Sequence, residues 1–120
     1  MLSDPNRPLY EVKAGLFKGL AHPIRIRILE VLSAEPEVSV SHLLTVVDLE
    51  PSHVSQHLAV LRRNRLVVSE RRGSLVYYRL AYPEVADLLR VARTLLGEIL
   101  EMAQHQLTEH EGLPEIPARI

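Results

Sequence analysis

The stretch "EPSHVSQHLAVLRRNRLV", residues 50–67, decides how the chain is read. His53 and His57 stand four residues apart, about one helical turn, so both imidazoles of a helix can meet one ligand. That is metal-ligand spacing. The same stretch carries Ser, Gln and a run of Arg, the side chains that touch DNA. Direction around the helix separates the two readings. At about 100° per residue, Leu58 and Leu61 fall within roughly 40° of Val54 and mark the buried side. Ser52, Gln56 and Arg63 fall within about 20° of the opposite direction. Ser55 and Arg62 lie on one flank and His53 on the other, with His57 between His53 and the core. No Glu sits between the histidines as in His-Glu-x-x-His, and Ser55 and Gln56 are weak ligands. The spacing and composition predict a helix from about Pro51 or Ser52 to Asn64 that presents Ser, Gln and Arg outward.

On its C-terminal side, "LVVSERRGSLVYYRL" (66–80) changes period. Val76, Tyr78 and Leu80 alternate with Tyr77 and Arg79 beyond a polar centre containing Gly73, which predicts a β-hairpin. Pro83 then opens a long helix to about Gln106, with Val85, Leu88, Leu89, Ala92, Leu95, Leu96, Ile99 and Ala103 on a broad apolar face. One hairpin leaves that face under-covered, so burial by a second subunit is expected. On the N-terminal side, "DLEPS" reads as a turn and "SHLLTVVD" as a short helix capped by Ser39 or Ser41. A stripe of Ile24, Ile28, Leu29 and Leu32 after Pro23 predicts another helix, closed by Pro36. Leu9, Val12, Leu16 and Leu20 predict the first, over 9–20. The expected class is mainly α with a β-hairpin wing (α+β): a dimeric winged helix-turn-helix of four helices, two strands and a last helix. Its expected extent is 9–107, between a flexible segment at 1–8 and a disordered tail at 108–120.

The bulk numbers bound the answer. At 120 residues and 47% hydrophobic, the chain suits one ordered domain rather than two domains or a globally disordered chain. Without cysteine there is neither disulfide nor thiolate metal site, which fits a reducing cytoplasm. Apolar runs fall far short of the roughly 20 residues of a membrane span, and the first residues do not read as a signal peptide. Net charge is −1, but its distribution is uneven. Residues 51–80 hold six Arg against Glu70 alone, net +5, while 1–50 are −2 and 81–120 are −4. A basic block of this kind points to a nucleic-acid face.

With these elements in place, the sequence resembles the ArsR/SmtB family of bacterial winged-helix repressors. "LFKGLAHPIRIRILEVL" is similar to its Leu-Ala-x-Pro-x-Arg opening, and "PSHVSQHLAVLRRNRLV" to its recognition helix, with the core Ser-x-His-Leu-x-x-Leu. "RRGSLVYYRL" resembles its wing, and the likeness runs from about residue 9 to 105. The resemblance implies a homodimer, paired through the first and last helices, that binds an inverted repeat in double-stranded DNA of a promoter. Two departures stand out. The family usually has Ala-Gly-Leu where this chain has Asn64, Arg65 and Leu66, so the left-handed stop of the helix falls on either Arg65 or Asn64. Ser74 stands where many members carry a wing Arg, leaving Arg71 and Arg72 to substitute.

The resemblance also raises the question of metal. At the family's thiolate site this chain has Ser39 and Ser41, and serine does not replace thiolate as a soft ligand. At its last-helix site stand Tyr82, Glu84, Leu95 and Glu98, two carboxylates without imidazole. What remains is Glu101, His105 and Glu109, four apart on one face, with His110 close by, as candidate ligands for nickel, cobalt or zinc.

The leading expectation is therefore a cytoplasmic DNA-binding transcriptional regulator, a repressor rather than an enzyme. Ser52, His53, Ser55 and Gln56 are its expected base readers, with Arg62, Arg63, Arg71 and Arg72 beside them at the DNA. Its trigger is left open between a metal at the C-terminal cluster, a small molecule, a partner protein, and nothing beyond expression level. The competing expectations are a winged helix used as a protein-interaction module, motivated by the acidic remainder of the chain, and a small metal hydrolase on His53 and His57. The latter lacks a nucleophile–base set or a complete ligand triad.

Overall fold

Val54, Leu58 and Leu61 are buried to 1%, 2% and 0% exposure, as their shared direction requires. They belong to helix α4, Pro51–Arg63, in a computed structural model that describes residues 5–112, the side chains of His110 and Glu111 excluded. Helix α1 spans Leu9–Leu20, α2 Pro23–Ala34, α3 Val40–Val46 and α5 Glu84–Glu111. Strand β1 is Val38–Ser39, β2 Val67–Arg72 and β3 Leu75–Leu80. The contacts divide the chain into two units, Met1–Asp87 and Leu88–Ile120. The second contains most of α5, on which Val91, Leu95, Leu96, Ile99, Leu100, Met102 and Leu107 are exposed.

The first unit is built on α2, α3, α4 and the sheet. Pro23 occupies the first turn of α2, and His22 caps it, Nδ1 accepting from the Ile24 N–H at 3.1 Å. Helix α2 buries Ile28, Leu29 and Leu32. Of the two serines that can cap α3, Ser39 does so: its Oγ accepts from the His42 N–H at 3.1 Å. Gly19 comes so close to α4 that a Cβ there would stand 2.8 Å from Asn64 Cγ.

Two features differ from the sequence reading. The expected hairpin is present, with β2 and β3 antiparallel in the register Val67↔Leu80 to Arg72↔Leu75 and Gly73 at φ +61° in its turn. Added to it is β1, which pairs Val38 with Tyr78 and Ser39 with Tyr77 to give the order β1-β3-β2. Helix α5 also runs to Glu111, beyond both the expected end near Gln106 and the expected tail from 108. Residues 1–4 and 113–120, parts of the two expected terminal segments, lie outside the described residues.

The stop of α4 resolves the Asn64–Arg65 alternative. Arg65 takes the left-handed position at φ +59°, and Asn64 stays at φ −85°. The Arg65 N–H donates to Arg62 O and the Leu66 N–H to Leu61 O, both at 3.0 Å. This is the double closure of a Schellman motif, with buried Leu66 and Leu61 as its hydrophobic pair. A non-glycine residue in this conformation costs roughly 1–2 kcal/mol, part of which glycine's greater unfolded-chain freedom would offset. Arg65→Gly is therefore expected to stabilise the fold by about 1 kcal/mol, seen as a higher melting temperature at fixed protein concentration. A lower one would mean that the Arg65 side chain contributes more than its backbone costs.

Candidate nucleic-acid interface

Helix α4 turns Ser52, His53, Ser55, Gln56, Arg62 and Arg63 to solvent, opposite its buried side. None of these side chains makes a hydrogen bond or ion pair with another described residue, and the same is true of Arg71. The donors and acceptors of this face are thus free for an external partner. Ser55 and Arg62 also line a groove of about 460 Å³ between α4 and the wing. Ser41, Ser74 and Val76 line it too, and it contains no carboxylate. Ser41 and Ser74 were not among the expected contact residues. Ser41 reaches it from α3 and Ser74 from the turn of the hairpin, as both pack beside α4.

Arg72 is placed differently. Its Nη1 and Nη2 donate to Glu37 Oε1 and Oε2, both at 2.6 Å, and Nη2 donates also to Glu70 Oε2 at 2.7 Å. The guanidinium carbon lies 4.6 Å from the Tyr77 ring centroid. The hydrogen bond from Arg72 holds the Glu37 carboxyl below its ordinary range, and the Glu37 and Glu70 carboxylates raise the affinity of Arg72 for its proton. Arg79 also acts on Glu37, so the two carboxylates balance the two guanidiniums and this corner of the wing carries no excess positive charge.

The two histidines that suggested a metal diverge. His53 is exposed, whereas His57 turns towards the joint of α1 and α2. Its ring centroid lies 4.2 Å from that of His22, and its Nδ1 lies 3.4 Å from Arg25 Nη1. Arg25 is itself held by a 2.7 Å bond from Nε to Gly19 O. Burial, then His22, Arg25 and His53, depress the His57 pKa below 6.5. The folded state thus resists a proton that the unfolded chain accepts. The resulting stability is complete above pH 6.5 and declines as pH falls through that value towards the depressed one. Denaturant unfolding at pH 7.5 and pH 5.5 is expected to show this decline, and His57→Gln to make it shallower. An equal decline in both proteins would place the sensitivity elsewhere.

Among the described candidate metal ligands on α5, one pair is in contact. His105 Nε2 lies 3.1 Å from Glu109 Oε1, both side chains about two-thirds exposed, and among the described residues no group of three His, Asp or Glu could hold an ion. The His110 side chain lies outside the described residues. Among those residues, no helix is long and apolar enough to cross a membrane.

A helix-turn-helix whose second helix offers a free polar face, followed by a hairpin wing, defines a winged helix-turn-helix DNA-binding protein. A helix-turn-helix domain model matches residues 20–70. An uncharacterised transcriptional regulator of Mycobacterium tuberculosis, Rv0081, is 50% identical over 96 residues, 79% of this chain and 83% of that protein. Its crystal structure has a TM-score of 0.74, covering 82% of this chain and 98% of that one at 47% identity. The transcriptional repressor SmtB homolog of Synechocystis is 40% identical over 84 residues, 64% of this chain and 63% of that protein. The solution structure of Mb0332 from Mycobacterium bovis, a homodimeric winged helix-turn-helix DNA-binding domain, has a TM-score of 0.67 at 28% identity. It covers 82% of this chain and 92% of that one. The chain belongs to the ArsR/SmtB family of transcriptional regulators, and is not an enzyme.

Proposed function

We propose that the protein is a cytoplasmic repressor that binds an inverted-repeat operator as a homodimer. One observation carries the reading: the unpaired Ser52, His53, Ser55, Gln56, Arg62 and Arg63 of α4 stand opposite Val54, Leu58 and Leu61. In this reading α4 enters the major groove, where Gln56 bonds an adenine edge and Ser52, His53 and Ser55 meet adjacent bases or phosphates. Arg62, Arg63 and Arg71 meet phosphates. The exposed apolar side chains of α5, with Leu9, Tyr10 and Phe17 exposed on α1, support pairing of two copies through these helices. Two copies place two reading helices about one turn of DNA apart.

The test is fluorescence anisotropy with the chain's own upstream DNA across salt concentrations. Three Arg contacts from each of two copies give about six phosphates, so affinity is expected to fall about 10³-fold between roughly 50 and 200 mM salt. Ile99→Glu is expected to yield monomers on size exclusion and to abolish tight binding. Absence of binding at low salt would instead favour a protein-interaction module.

A further inference from the structure

The wing tip carries two adjacent arginines, and a strand sends adjacent side chains to opposite faces. Cross-strand partners share a face, so Arg71 lies with Val76 on the face where Tyr78 is buried. Arg72 lies with Leu75 on the other face, together with Glu70 and Tyr77. We infer that Arg72 is a positioning residue which ties the wing to Glu37, and that Arg71 alone supplies the wing's contact to phosphate. This rests on the reading of α4 as the DNA-binding helix.

Three observations support it. Arg72 joins three parts of the chain: Glu37 ahead of β1, Glu70 on β2 and Tyr77 on β3. Its bond to Glu37 is two-pronged, a geometry that fixes orientation as well as distance. A phosphate approaching Arg72 would also meet two carboxylates, whereas Arg71 has no carboxylate partner. Glu37 immediately precedes β1, which leads into α3, so the tie sets where the wing stands relative to the helix-turn-helix. The position of Arg71 follows from it.

The experiment compares DNA affinity against salt, and amide exchange in β2 and β3, for the wild type, Arg71→Gln, Arg72→Gln, Arg72→Lys and Glu37→Gln. Each phosphate contact contributes about 0.9 to the slope of log affinity against log salt, so Arg71→Gln is expected to lower the dimer's slope by about 2. Arg72→Gln is expected to leave the slope unchanged and weaken binding about threefold to tenfold at every salt concentration. Arg72→Lys keeps the charge but cannot form the two-pronged bond, so it is expected to behave like Arg72→Gln. Glu37→Gln is expected to weaken binding in the same way. Amide exchange of Val76 to Arg79 is expected to quicken in the Arg72 and Glu37 variants. The inference is overturned if Arg72→Gln lowers the slope as Arg71→Gln does, if Arg72→Lys restores binding, or if Glu37→Gln tightens it. If the wild type does not bind DNA, the reading of α4 fails. The exchange data still decide the tie, because unchanged exchange in the Arg72 and Glu37 variants overturns it.

Discussion

Gln56→Ala is expected to lose sequence preference while keeping general affinity for DNA. Gln56 is exposed and bonds to no other described residue, so its removal leaves no buried group unsatisfied. Its amide offers one donor and one acceptor side by side, the complement of an adenine edge in the major groove. Each such pair contributes about 1–3 kcal/mol of discrimination, about 5- to 150-fold for each half-site. Affinity for unrelated DNA and the salt slope are expected to stay at wild-type values, because both depend on arginine and phosphate. Thermal stability is expected to stay the same. Competition between operator and unrelated fragments measures the ratio directly. An equal loss on both fragments would show that Gln56 contacts the backbone, and an unchanged ratio would move base reading to Ser52, His53 or Ser55.

Leu61→Ala is expected to act on the same helix in the opposite way. Leu61 is fully buried, and its carbonyl accepts the Leu66 N–H that closes α4. Truncating a buried leucine costs about 2–5 kcal/mol through lost burial and the cavity left behind. That is a large share of the roughly 5–15 kcal/mol that holds a domain of this size. The urea midpoint is expected to fall sharply with little change in the slope of the transition. Once folding is corrected for, the ratio of operator to unrelated DNA affinity should be preserved. A loss below about 1 kcal/mol would mean that neighbouring side chains close over the gap.

The parts legible in the sequence are those set by local pattern. The face of α4, its end at Asn64 and the hairpin around Gly73 follow from periodicity and turn chemistry within a few residues. The sites that needed the structure join distant residues. Glu37 meets Arg72 from 35 positions away, and the meeting depends on β1 aligning with β3. Strand β1 is two residues long, too short to show an alternating pattern, and exists only through its partner. His57 reads as leaning towards the core, but its neighbours His22 and Arg25 emerge only when α2 packs against α4. The end of α5 was missed because a helix can continue after its apolar face ends. No glycine or proline interrupts it between Gly97 and Gly112.

The strand order β1-β3-β2 has a consequence for the protein at high concentration. The sheet ends in two edges, and an exposed edge is a template on which other chains can add strands. Here one edge offers only Val38 and Ser39, too short to recruit a neighbour. The other exposes Ser69, Glu70, Arg71 and Arg72, whose charges resist apolar strand stacking. Polymerisation through the backbone is thus discouraged at both ends, and association between copies is left to the helices.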